Sequence, residues 1–230
     1  MNLLPELLNI DWQGKDEKHW KAGVVLPERM VALKHPKAAK LLSNMAIKYG
    51  ILQNHLNPIY KSTVLDVGCG SGFGASILRD FGYRVSGIDV DPFILSYARK
   101  RPGIQFYEGF IKDHPHTYDA ITCVDMIEHI HAPQQELLMH DMYRHLNPEG
   151  VLLVDTCFRI ESARVSKHHV WELGYQDFVN LFINLEMKNI TRYWILRYFD
   201  TYSVCIKSQM PPKYDKSQAE LLDQIIVATK

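Results

Sequence analysis

The chain has 230 residues, and 47% of them are hydrophobic, so it suits one α/β domain with a sizeable core and additions at its ends. Its 26 basic and 26 acidic residues cancel, which leaves no global field to announce a nucleic-acid partner. No apolar run approaches the ~18 residues of a membrane span.

The opening Met1-Asn2-Leu3-Leu4-Pro5-Glu6 lacks the basic and apolar regions of a signal peptide. Residues 1–62 read as a helical N-terminal cap. Asn2 to Ile10 is a short helix, and Asp11 to Lys21, polar apart from Trp12 and Trp20, is lid-like. Leu26 to Lys40 carries Arg29, Lys34, His35, Lys37 and Lys40, a solvated face or a contact for an anionic substrate. Pro36 to Leu56 has apolar residues near helical spacing at Ala39, Leu42, Ala46 and Leu52. It either covers the sheet or closes over a ligand.

Thr63 to Val67 is short, apolar and β-branched, as in a buried strand. Gly68, Gly70 and Gly72 follow at alternate positions, and Phe73 to Phe81 reads as a helix. A strand, a glycine turn and a helix bring bare backbone against a nucleoside, because glycine has no Cβ to hold a ligand away. Alone, G-x-G-x-G can be a tight turn and nothing more. Arg84 to Ile88, however, reads as a second strand closing at Asp89, about 20 residues past the glycines, where an acid reaches ribose hydroxyls.

This β-α-β unit resembles the nucleotide-binding half of class I S-adenosylmethionine (SAM) methyltransferases. Their first motif is similar to Leu65-Asp66-Val67-Gly68-Cys69-Gly70-Ser71-Gly72, and their second to Gly87-Ile88-Asp89-Val90-Asp91. The spacing is not the G-x-G-x-x-G of dinucleotide sites, and Asp66 precedes the turn where a pyrophosphate would be repelled. The resemblance implies SAM as cofactor. It places Asp66 near the methionine end, the turn from Gly68 through Cys69 and Gly70 to Gly72 beneath the ligand, and Asp89 and Val90 at the ribose. It puts the adenine beside Glu108-Gly109-Phe110. Relatives often carry an acid where this chain has Phe110, so Phe110 is expected against the ring, with the backbone of Ile111 meeting its polar edge.

Pro92 to Arg101 is a helix with Asp91 as N-cap and Pro92 at N1. Ile104 to Tyr107 is a third strand, Lys112 to Thr117 a loop with His114 and His116, and Tyr118 to Val124 a fourth strand. Pro133 to Leu146 is a helix, Asn147-Pro148-Glu149-Gly150 a turn, and Val151 to Asp155 a fifth strand. Ser162 to Val170 is a polar connection, and Tyr175 to Leu185 a helix. Ile190 to Leu196 and Thr201 to Lys207 form an antiparallel hairpin at the sheet edge. Gln218 to Thr229 reads as a terminal helix. The four cysteines, Cys69, Cys123, Cys157 and Cys205, form no C-x-x-C pair and read as free thiols in a reducing, cytoplasmic compartment.

Ligands of open α/β sheets bind beyond the carboxyl ends of strands, so Asp125 and its neighbours lie near the chemistry. Asp125, Glu128 and His129 share one face if the chain turns helical there. His169 arrives from the connection after the fifth strand. Together these four have the donor types for a divalent cation, Mg²⁺ or Mn²⁺, which would orient substrate oxygens and acidify a hydroxyl. Acid-x-x-Glu-His followed by His-x-x-Glu resembles ubiquinone-type O-methyltransferases and the methyltransferases of RNA 3′-end 2′-hydroxyls. Those usually have glutamate at the position of Asp125. The plainer alternative has Glu128 orienting the loop and His129 or His169 acting as a general base, since proximity supplies much of the rate.

The expected fold is a Rossmann-like seven-stranded, mostly parallel sheet with helices on both faces and an antiparallel edge strand. The expected organisation is a cap over 1–62, a core over 63–207 and a C-terminal extension over 208–230. The expected reaction is methyl transfer from SAM to a hydroxyl oxygen of a small molecule or sugar. Metal-dependent RNA 2′-O-methylation and SAM binding without catalysis are the alternatives. Oligomeric state is not legible.

Overall fold

A computed structural model describes residue 34 and residues 38–56, 61–159, 169–198, 202–208 and 219–230. The expected Asn2–Ile10 helix, the lid-like Asp11–Lys21 stretch and most of the basic Leu26–Lys40 stretch lie outside the described residues.

Helix α1 spans Ala38–Gly50 and runs on into a 3-10 turn, Ile51–Asn54. Then come β1 (Thr63–Val67), α2 (Phe73–Asp80), β2 (Arg84–Asp89), α3 (Pro92–Ala98), β3 (Gln105–Glu108) and β4 (Tyr118–Cys123). Helix α4 (Ala132–Arg144), β5 (Leu146–Cys157), α5 (Tyr175–Ile183), β6 (Lys188–Tyr198), β7 (Tyr202–Lys207) and β8 (Ala219–Thr229) complete the chain. Asp91 caps α3 as expected, its Oδ1 accepting from the Phe93 N–H at 2.9 Å, with Pro92 in the first turn where its missing N–H costs nothing.

The strands form one sheet in the order β3-β2-β1-β4-β5-β8-β6-β7. Strands β1 to β5 are mutually parallel. Strand β8 runs antiparallel to both β5 and β6, and β7 is the antiparallel edge. The Rossmann-like plan is present with one strand more than the seven expected. The order reverses between β1 and β4, so a crevice opens beyond their carboxyl ends.

The additional strand corrects the reading of the C-terminus. The C-terminal stretch expected as a helix outside the core holds β8 (Ala219–Thr229), in the middle of the sheet. Its run Ile225-Ile226-Val227-Ala228 is buried on both faces. Ile226 and Ala228 join one core with Leu65, Ile121, Leu152 and the α4–α5 residues Met139, Met142, Phe178 and Phe182. Ile225 and Val227 join the other with Val64, Ala120, Leu153, Tyr49 of α1 and Leu78 of α2. A strand covered on both faces is continuously apolar, so its alternation is hidden and a short run looks the same in either structure.

Candidate active site

The turn after β1 is built by three glycines in left-handed conformation, Gly68 at φ 69°, Gly70 at 54° and Gly72 at 74°. They are not equivalent. A Cβ at Gly68 would collide with Met126, and one at Gly72 would lie 2.6 Å from the Phe106 ring. A Cβ at Gly70 would find nothing nearer than Ile94 Cγ2 at 4.0 Å. Two glycines therefore serve packing, and Gly70 faces open space. The Cys69 side chain packs in the core beside Phe106, and burial raises its thiol well above its ordinary value.

Asp89 closes β2 beside this turn. Its Oδ2 accepts from the Gly70 N–H at 2.8 Å and its Oδ1 from the Asp91 N–H at 3.0 Å. Burial raises its pKa, and these two N–H groups oppose the rise. Val90 and Phe110, next to Asp89 and β3, are large apolar side chains left 55% and 63% exposed, while Ile111 is buried. An apolar pair standing open beside a carboxylate suits a flat ring carrying a sugar.

Asp66 lies on the other side of the turn and is 1% exposed. Thr122 Oγ1 donates to its Oδ1 at 2.8 Å, and the Tyr49 hydroxyl donates at 3.1 Å. Burial nevertheless pushes its pKa up to about 7.

The segment after β4 departs from the expected helix. Asp125 sits in the left-handed region at φ 52°, and only a 3-10 turn, Ile127–His129, follows. Asp125, Glu128 and His129 therefore do not share a helical face. The Asp125 carboxylate turns to Lys48 of α1, whose Nζ donates to Oδ1 at 2.6 Å. The same ammonium meets Asp155 Oδ2 of β5 at 2.7 Å and Asp223 Oδ2 of β8 at 3.2 Å. Burial works to lower the Lys48 pKa, but the three carboxylates outweigh it and hold it well above the ordinary lysine value. Burial pushes the Asp155 carboxyl well up, whereas Lys48 draws Asp125 down.

Glu128, His129 and His169 do come together, with donor atoms within 4.8 Å of one another and the two imidazoles edge to face at 5.1 Å between ring centres. The Glu128 carbonyl accepts from the Val170 N–H at 2.8 Å, which joins the two segments. Glu128 is 2% exposed, and burial, followed by the charge of Asp125, pushes its pKa up to about 8. His169 Nδ1 lies 2.6 Å from Glu172 Oε1, and Arg159 Nε donates to the other oxygen of that carboxylate. Glu172 is fully buried, and although burial acts to raise its pKa, Arg159 and His169 hold it below the ordinary value.

The structure thus assembles three of the four proposed metal ligands and assigns Asp125 elsewhere. Sequence reasoning passed over Lys48, Tyr49, Thr122, Arg159 and Asp223. The His169-x-x-Glu172 spacing was visible. Tyr49 and Thr122 reach Asp66 from 17 and 56 residues away and Lys48 reaches Asp125 from 77, and none of them left a local signal.

An open sheet reversing between β1 and β4, a glycine turn with one glycine facing space and an acid closing β2 define the class I methyltransferase architecture. Residues 33–192 match the methyltransferase domain family, and the chain belongs to that family. The ubiquinone biosynthesis O-methyltransferase of Rickettsia typhi is 30% identical over 131 residues, 53% of this chain and 52% of the relative. That of Actinobacillus pleuropneumoniae is 31% identical over 140 residues, 55% and 58% of the two chains. The chain spans about half the length of the curated relatives it matches. Magnesium protoporphyrin IX methyltransferase from Synechocystis PCC 6803, solved with bound S-adenosylhomocysteine, shares the fold at TM-score 0.62 and 12% identity, covering 90% of this chain and 88% of that one.

Proposed function

We propose that this methyltransferase acts on a hydroxyl oxygen of a small molecule, with His169 as general base. The observation that carries the reading is the Arg159–Glu172–His169 series, built around the buried Glu172 carboxylate. A carboxylate on Nδ1 fixes that nitrogen as the protonated one and leaves Nε2 as the acceptor. The likeness to ubiquinone biosynthesis O-methyltransferases supports oxygen as the atom methylated, and zero net charge favours a small acceptor over RNA. Among the described residues, no helix is long and apolar enough to cross a membrane. Free thiols at Cys69, Cys123 and Cys157 support the reducing, cytoplasmic setting that goes with this reading. The test is transfer of labelled methyl from SAM to a panel of phenols, sugars and amines. His169→Ala should lower turnover of the hydroxyl acceptor about 10²- to 10⁴-fold, the usual worth of a positioned base. Turnover of amines alone would refute the oxygen assignment.

In this reading SAM lies over Gly70, with its ribose at Asp89, its adenine between Val90 and Phe110, and its methionine end toward Asp66. Asp66 then gives a direct check. With a pKa of about 7, roughly half the free molecules hold its proton at neutral pH. The positive charge of the bound methionine end favours the carboxylate, so binding at pH 7 is expected to release about half a proton. Calorimetric enthalpies in buffers of different ionisation heat would report it, and the release should vanish near pH 9. The sign for stability is opposite. Folding holds this proton, so stability of the free protein declines as pH rises from the ordinary carboxylate range through 7. Buffer-independent enthalpies would remove Asp66 from the methionine end.

A divalent cation fits Glu128, His129 and His169 by donor chemistry, one buried carboxylate and two imidazoles, a set that favours Mn²⁺, Fe²⁺ or Zn²⁺ over Mg²⁺. Asp125, committed to Lys48, does not complete it. When bound, such an ion would orient and acidify the acceptor hydroxyl. Titration of Mn²⁺ into the protein saturated with S-adenosylhomocysteine should release the Glu128 proton near pH 7 if the site is real. Absence of binding at millimolar metal leaves the histidine base as the complete account.

A further inference from the structure

Helix α1 supplies two consecutive side chains to two acids that border the same crevice. Lys48 reaches Asp125, just beyond β4, and Tyr49 reaches Asp66, near the end of β1. Strands β1 and β4 are adjacent, with Asp66 paired to Thr122 in register, so the two acids flank the point where the strand order reverses. Both α1 side chains are buried, at 3% and 4% exposure. Tyr49 occupies the space where Gly74 would carry a Cβ, so α2 is built to admit it.

We propose that Lys48 is a positioning residue for the cofactor site, holding the main chain at Asp125 in the one conformation that lets β4 and β1 bound the methionine end of SAM. The cap helix α1 is then a wall of that site and not only a cover over the sheet. This rests on the placement of SAM given above.

Three observations carry it. Asp125 keeps a left-handed backbone, which strains a residue with a Cβ and persists only when its surroundings over-determine it. It is over-determined here, because the Lys48 ammonium holds its side chain and Asp155 Oδ2 accepts from its N–H at 3.3 Å. The quartet is also a poor device for stability alone. It sets one ammonium against three carboxylates and leaves Asp155 Oδ1 buried without a partner, whereas well-packed apolar side chains in such a place are commonly as stable or more so. Finally, the ammonium joins four separate elements, α1, the β4 exit, β5 and β8, at the carboxyl ends of the parallel strands, where ligands of this architecture bind.

The experiment is a double-mutant cycle read as affinity for S-adenosylhomocysteine by calorimetry. Lys48→Met combined with Asp155→Asn removes the ammonium together with one of its carboxyl partners and keeps volume, so the pair is chosen to fold. Asp125→Asn keeps a residue that tolerates the left-handed region but weakens its hold on Lys48. Each change is expected to weaken binding, the first at least tenfold. Asp125→Asn should add almost nothing once Lys48 is gone, because both act through the same turn. Affinity within twofold of the parent in the cooperatively melting Lys48→Met/Asp155→Asn protein overturns the proposal, and so does full additivity of the two changes. Should the Lys48 variant fail to fold, unchanged affinity in Asp125→Asn overturns it as well. Failure of the parent protein to bind S-adenosylhomocysteine would instead refute the placement of the cofactor.

Discussion

Gly70→Val is expected to give a folded protein that no longer binds S-adenosylhomocysteine. The added Cβ would lie 4.0 Å from Ile94 Cγ2, the nearest atom outside its chain neighbours, so it fits without a clash. The cost to folding is conformational, roughly 1–2 kcal/mol for a Cβ-bearing residue held at positive φ. In the proposed placement of SAM the branched side chain stands in the space of the cofactor, and loss of affinity should exceed a hundredfold. Gly72→Val provides the contrast. Its Cβ would lie 2.6 Å from the Phe106 ring, so thermal melting should reveal lost stability before any question of binding arises. Calorimetry and melting on the two variants separate a ligand-facing glycine from a packing one. Normal binding by folded Gly70→Val would make the turn purely structural.

Asp89→Ala should weaken S-adenosylhomocysteine binding by about 1.5–3 kcal/mol, the worth of hydrogen bonds to a charged group, or roughly 10- to 150-fold. The structure gives the change a second consequence. The two carboxylate oxygens already accept from the Gly70 and Asp91 N–H groups, so removing them frees the turn as well as the ribose contact of the proposed placement. Each oxygen has a second lone pair, which leaves capacity for two ribose hydroxyls. Asp89→Asn keeps one acceptor oxygen and should lose less than alanine. Equal affinity for Asp89→Ala and the parent would confine Asp89 to a structural role, and an alanine variant that fails to melt cooperatively would show that the turn depends on it.

The β1–α2–β2 unit was legible because its signals are local. Alternating glycines between a β-branched run and a helix, and Asp89 at the end of the next strand, are consequences of backbone sterics and one β-α-β unit, and both stand within thirty residues of chain. The Asp91 cap and Pro92 were legible for the same reason. His169-x-x-Glu172 also survived, since three residues of chain hold the imidazole to its carboxylate. Tertiary structure decided the rest. Strand β8 looked helical because burial on both faces erases the alternation that marks a strand, and its neighbours β5 and β6 begin 73 and 31 residues earlier in the chain. Asp125 appeared to belong with Glu128 and His129 by helical spacing. One left-handed residue breaks that spacing, and the charge of a buried lysine 77 residues away outweighs it. A buried ion pair is set by which elements the sheet brings together, and nothing in the local sequence around Lys48 or Asp125 records the other.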